Sequence, residues 1–207
     1  MEVDYHQSQI TAKSVQNIFM GNYPKYVLNK RRLNIQQGDN EQFNIFFYVT
    51  GHGGDFYFKV REKEALIDEQ FMHIFKSLSN KHRNPAINSI SNQIALFSDS
   101  CSAITPFETV PSDKEIKNFL AFASSSFDEK SKSHGFDIAL NQPKSDDFTF
   151  YLNELYNTFQ NPLQVTMKEL NEYMDFTKLE VHSKLVHTSS EGGNTVEGGR
   201  KRNKNRK

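Results

Sequence analysis

Three apolar runs stand out along the chain: residues 43–50 (FNIFFYVT), 92–99 (NQIALFSD) and 117–125 (KNFLAFASS). Each is continuous rather than alternating, the pattern of a strand buried on both faces. Helical spacing governs other stretches. Residues 11–20 (TAKSVQNIFM) place Val15, Ile18 and Phe19 on one side, with Thr11 as N-cap and Gly21 as a stop. Residues 64–82 set Leu66, Phe71, Ile74, Phe75 and Leu78 on one face and predict an amphipathic helix. Residues 146–160 predict a helix capped by Asp146 or Asp147 and stopped before Pro162, and residues 166–176 a further short one. Residues 2–5 (EVDY) read as a short strand or a loop, 55–60 (DFYFKV) as a short extended piece, and residues 30–42 as a polar loop. The intervals between the three buried runs are long enough for parallel crossovers, so an α/β fold with a mostly parallel central sheet flanked by helices is expected.

Composition narrows this picture. The chain has 207 residues, enough for one domain with a real core. Its 25 basic and 25 acidic side chains cancel. They are unevenly placed, because six of the last eight residues (RKRNKNRK) are basic, which leaves a mildly acidic body. Residues 189–207 carry no apolar anchor and are expected to be a disordered basic tail behind a domain at 1–188. Such clusters can bind nucleic acid or anionic lipid, but a solvated tail is the reading adopted, and no nucleic-acid partner is expected. The single cysteine, Cys101, rules out an internal disulfide. No apolar run approaches a membrane span, and the first ten residues do not read as a signal peptide.

Two of the buried runs end in reactive residues. The first leads into Gly51-His52-Gly53-Gly54, the second into Asp99-Ser100-Cys101. Ligand sites of open α/β sheets gather at the carboxyl ends of strands, so parallel neighbours would bring His52 and Cys101 to one rim. An imidazole near a thiol favours the nucleophilic thiolate or shuttles its proton. Glycines there let backbone N–H groups approach a developing oxyanion, and Gly53 with Cys101 supplies a natural donor pair. Taken singly, each feature has a plainer reading. A lone cysteine is ordinarily a small core hydrophobe, and GHGG can be a tight turn. An esterase would need a G-x-S-x-G elbow, and a zincin an H-E-x-x-H helix; neither is present. The conjunction is more specific, because about fifty positions separate His52 from Cys101, near the ~50-residue interval of caspases.

The segments YVTGHGGDFYFK, FSDSCSA, FASSSFDEKSKSH and DDFTFYLNEL stand in the order and spacing of the catalytic subunits of GPI transamidases. The resemblance covers roughly residues 2–185. These are caspase-like cysteine enzymes related to legumain. The resemblance implies a caspase-like fold on the lumenal side of the endoplasmic reticulum, within a multi-subunit membrane complex. The implied activity removes a C-terminal signal from a proprotein and joins the new carboxyl end to the ethanolamine amine of a GPI lipid. Cys101 would be the nucleophile, His52 the general acid/base and Gly53 an oxyanion donor. Ser124 and Ser125 match the pair lining the pocket for the small residue at the cleavage site, and His134 matches a family histidine that supports it. No cofactor is implied for the chemistry. A structural calcium ion would be held in part by Glu2 and Asp4. Ser100 stands where the family usually has threonine, and residues 102–110 (SAITPFETV) depart from its pattern. The family domain begins about one strand–helix unit before EVDY and ends in a membrane helix. The first strand unit is therefore expected to be missing, and the chain reads as a fragment, a chain with a displaced start or a degenerate paralogue. A legumain-like endopeptidase and a non-catalytic assembly subunit are the alternative readings.

Overall fold

The computed structural model describes residues 9–19, 45–81, 93–110, 115–116, 118–158, 165–188 and 194–198. The strand or loop expected at 2–5, the loop at 30–42 and the helix stop at Gly21 lie outside them. Thr11 caps α1 (Ala12–Phe19), its Oγ1 accepting from Ser14 N at 3.0 Å. The first apolar run forms β1 (Ile45–Thr50). Gly53–Gly54 is a two-residue strand, β2, which pairs antiparallel with β3 (Tyr57–Arg61).

The helix expected over 64–82 starts later. Glu64–Ile67 is strand β4, paired antiparallel with β3, and α2 covers only Asp68–Lys81. Leu66 faces the core from the strand, so one apolar position satisfied both readings. Gln70 Oε1 accepts from Ile67 N at 3.0 Å, and Asp68 Oδ1 from Glu69 N at 2.9 Å; these bonds to the first free N–H groups start the helix at Asp68.

Next come β5 (Ile94–Asp99), a single 3-10 turn at Thr105–Phe107, and β6 (Phe119–Ala123). β7 (Ser133–Asp137) and β8 (Gln142–Asp146) form a separate hairpin that leads into α3 (Asp147–Thr158). Thr166 and Glu169 close a capping box on α4 (Met167–Tyr173), and α5 (Phe176–Leu179) is a single turn. β9 (Lys184–Thr188) and β10 (Asn194–Gly198) complete the described elements. β10 lies inside the segment expected to be disordered. It pairs antiparallel with β9, whose outer ladder offers partners to any backbone.

The main sheet runs β1-β5-β6-β9-β10. Its centre is parallel, with β1 beside β5 and β5 beside β6, and β9 closes antiparallel on β6. Helices cover both faces, as alternation along the strands dictates. Phe119, Ala121 and Ala123 of β6 face a core with Phe71, Ile74, Phe75 and Phe107, against which α1 packs. Phe122 faces a second core with Phe148, Leu155, Leu170 and Leu185. Among the described residues no helix is long and apolar enough to cross a membrane.

Candidate active site

Register fixes the site. Thr50 pairs with Asp99 at the carboxyl ends of parallel neighbours, and His52 and Cys101 each stand two residues farther on. Gly51 N donates to Asp99 O at 3.1 Å, extending the ladder one step toward the site. Gly51 has φ +147°, a conformation L side chains rarely adopt, and this lets the chain leave the strand there. His52 is exposed, its carbonyl accepting from Lys59 N at 2.9 Å. Cys101 is half-buried and free. The two residues thus share one rim, and the thiol-bearing residue has a route to solvent.

Gly53 explains why glycine is needed. A Cβ built there would lie 2.6 Å from Ser100 Oγ and 2.7 Å from Cys101 O. The histidine loop therefore rests directly on the cysteine turn, and only a residue without a side chain allows that approach. Thr105 ties the two loops together. Its buried Oγ1 accepts from Phe56 N at 2.8 Å and lies within donating range of Ser102 O (2.8 Å) and Gly54 O (3.3 Å).

Ser124 and Ser125 follow β6 and are buried, at 1% and 0% exposure. Ser125 Oγ donates to Ser100 O at 2.8 Å and accepts from Ala103 N at 3.0 Å. Ser124 Oγ lies 3.3 Å from both Ser100 N and Ser100 O. The pair expected to line a substrate pocket thus sits beneath the cysteine turn, its hydroxyls engaged in holding that turn's backbone. His134 is placed on β7, its Nδ1 2.7 Å from Asp147 Oδ1 and its ring stacked 3.5 Å from that of Phe150.

Two carboxylates have structural roles that the sequence does not assign. Asp99 is 2% exposed; its Oδ1 accepts from Ser131 Oγ at 2.8 Å and its Oδ2 from Thr149 Oγ1 at 3.3 Å. Burial pushes its pKa upward, Asp146 adds to the rise, and the hydroxyl donors oppose it. Tyr48 OH joins this chain at 2.7 Å from Thr149 Oγ1. The second carboxylate, Glu129, accepts from Ser126 N and His182 N, each at 2.9 Å, and meets His182 Nδ1. Burial raises its pKa, but the bonds from His182 and Ser126 outweigh that and hold it below the ordinary value. Position of Asp99 two residues before Cys101 was the one sequence signal for the first. Glu129 had none, since its partner lies 53 positions away.

Glu2 and Asp4 lie outside the described residues, among which no cluster of three or more His, Cys, Asp or Glu side chains could hold a metal ion.

Comparison with known proteins is consistent with this arrangement. The sequence profile of the Peptidase C13 family matches residues 1–188. A GPI-anchor transamidase of Saccharomyces cerevisiae is 28% identical over 182 residues, which is 88% of this chain and 41% of the relative. The GPI-anchor transamidase of Schizosaccharomyces pombe is 29% identical over 185 residues, 88% of this chain and 44% of the relative. The Homo sapiens protein of the same name is 27% identical over 170 residues, 82% of this chain and 39% of the relative. The chain spans less than half the length of these curated relatives.

Proposed function

The chain belongs to the peptidase C13 family, and from that premise we propose that it is the catalytic portion of a GPI-anchor transamidase. The observation that carries the reading is the shared rim: His52 and Cys101 stand two residues beyond the Thr50–Asp99 register pair, with Gly53 against the cysteine turn.

In this proposal the Cys101 thiolate attacks the carbonyl of the small residue at the cleavage site. The Gly53 and Cys101 amides hold the oxyanion. His52 gives a proton to the departing amine as the C–N bond breaks, leaving a thioester on Cys101. The ethanolamine amine of the GPI lipid then attacks the thioester, His52 accepts its proton, and the thiolate departs. Ser124 and Ser125 form the floor under the pocket for the small residue. Glu2 and Asp4 would hold part of a structural calcium ion, which supplies none of the chemistry. The partners are the proprotein's C-terminal signal, the GPI lipid and the other transamidase subunits, at the lumenal side of the endoplasmic reticulum.

Hydrazine in place of the lipid amine tests the reaction type. With the chain in its complex, a proprotein hydrazide is expected by mass. A free acid alone would make the protein a legumain-like hydrolase. Replacing Cys101 with alanine should abolish both products, and hydrazide formed by C101A would overturn the assignment.

A further inference from the structure

Ser102, next to the proposed nucleophile, is 5% exposed and has φ +48°. A non-glycine residue in that region is strained and persists only where its surroundings fix it. Both ends of Ser102 are fixed. Its carbonyl accepts from Thr105 N at 3.0 Å and from Thr105 Oγ1 at 2.8 Å. Its N–H donates to the carbonyl of Glu129 at 2.8 Å.

Glu129 can offer that carbonyl only if its own loop is held, and its side chain does the holding. Glu129 N donates to Ser126 O at 3.3 Å while Oε2 accepts from Ser126 N, which closes the 126–129 turn. The same Oε2 accepts from His182 N, and Oε1 meets His182 Nδ1, fastening the turn to the segment that enters β9. Ser126 Oγ adds a bond to His182 O at 3.1 Å. The carboxylate thus stands one backbone bond away from the peptide that joins Cys101 to Ser102.

We propose that Glu129 is a positioning residue for Cys101: its carboxylate closes the 126–129 turn and clamps it to His182, so that its carbonyl sets the plane of the Cys101–Ser102 peptide. The proposal rests on the catalytic reading of Cys101 above. It assigns the Ser102 N–H to the protein and leaves the oxyanion to the Gly53 and Cys101 amides. A displacement of this peptide by about 1 Å is expected to cost a large factor in rate.

The test uses the chain in its complex and a peptidyl chloromethyl ketone with a small residue next to the reactive group. Cys101 is the only cysteine of the chain, so labelling of this chain is read by mass at one site. Saturation kinetics separate kinact from KI, and rates are normalised to the folded fraction from circular dichroism. Glu129→Ala is expected to lower kinact by about tenfold or more, with KI within about twofold. Glu129→Gln should restore kinact to within about threefold of the parent, because its Oε1 still accepts from the two backbone N–H groups. Glu180→Ala breaks the exposed Lys132–Glu180 ion pair, 3.6 Å apart between nearby segments, and should leave kinact unchanged. If Glu129→Ala does not fold, His182→Ala removes one partner of the carboxylate and should lower kinact by roughly threefold. A parental kinact in Glu129→Ala, or in His182→Ala where that variant decides, overturns the proposal. So does a loss in Glu129→Gln as large as in Glu129→Ala. An intact chain that takes no label at Cys101 overturns the catalytic reading instead.

Discussion

At the scale of single residues, the site is built from close approach and from bonds to backbone. Gly53 is the clearest case. The first obstacle to a Cβ, Ser100 Oγ, can rotate away, but the second, Cys101 O, is main chain and cannot move without moving the nucleophile. Gly53→Ala is therefore expected to fold and to lose roughly 10²-fold in labelling of Cys101, with the melting temperature of the variant as control. Glu129 makes a pH prediction. Its folded pKa lies below its ordinary value, so the native state binds fewer protons than the unfolded chain in the acid range. The stabilisation is complete above the unfolded value and is lost as pH falls through the folded one. The melting-temperature gap between the parent and Glu129→Gln should then shrink as pH is lowered from 7 toward 4, and a gap that widens would contradict the assignment. Asp99 acts in the opposite sense: burial raises its pKa, so its ionisation costs stability as pH rises through the acid range. Comparing parent with Glu129→Gln leaves the Asp99 contribution common to both.

At the scale of elements, legibility followed burial. β1, β5 and β6 were readable because a strand covered on both faces must be continuously apolar, α1 because cap and spacing agreed, and α3 because acidic residues mark its start. β4 was hidden inside a helical pattern, since Leu66 reaches the core from either geometry. β7 and β8 carry SHGFD and QPKSD, with Pro143 within the second, and no alternation marks them. A two-stranded sheet consists of edges only, so proline is tolerated there. β10 pairs with β9 through the backbone, and composition is silent about that. The site divides similarly. His52, Gly53 and Cys101 were readable because costly glycines and strand ends point to them. Thr105 lay in a segment noted only as a departure from the family pattern, yet its hydroxyl joins both reactive loops. Such a role depends on contacts between elements, and the pattern of one sequence does not display them.

At the scale of the whole molecule, the two cores are not equivalent with respect to the site. The chain leaves Cys101, makes the 3-10 turn at Thr105–Phe107, and drives Phe107 into the core on the α2 face. There its ring meets Phe71 edge-on at 4.8 Å and Phe75 at 6.2 Å. Thr105, two residues before this anchor, bonds both reactive loops, so any shift of Phe107 is passed to the cysteine turn. Leu155 anchors α3 in the core on the opposite face, six residues beyond Thr149, the α3 hydroxyl that bonds Asp99. Phe107→Ala and Leu155→Ala should each destabilise the fold, by about 3–5 and 2–5 kcal/mol respectively, through lost burial and the cavity left behind. Their effects on chemistry should separate. At a temperature where both variants remain folded, kinact for Cys101 labelling is expected to fall by about tenfold in Phe107→Ala and to stay within about twofold in Leu155→Ala. Equal losses in the two variants would show that the site senses global stability alone. A loss confined to Phe107→Ala would show that the aromatic core under α2 sets the geometry of the rim above it.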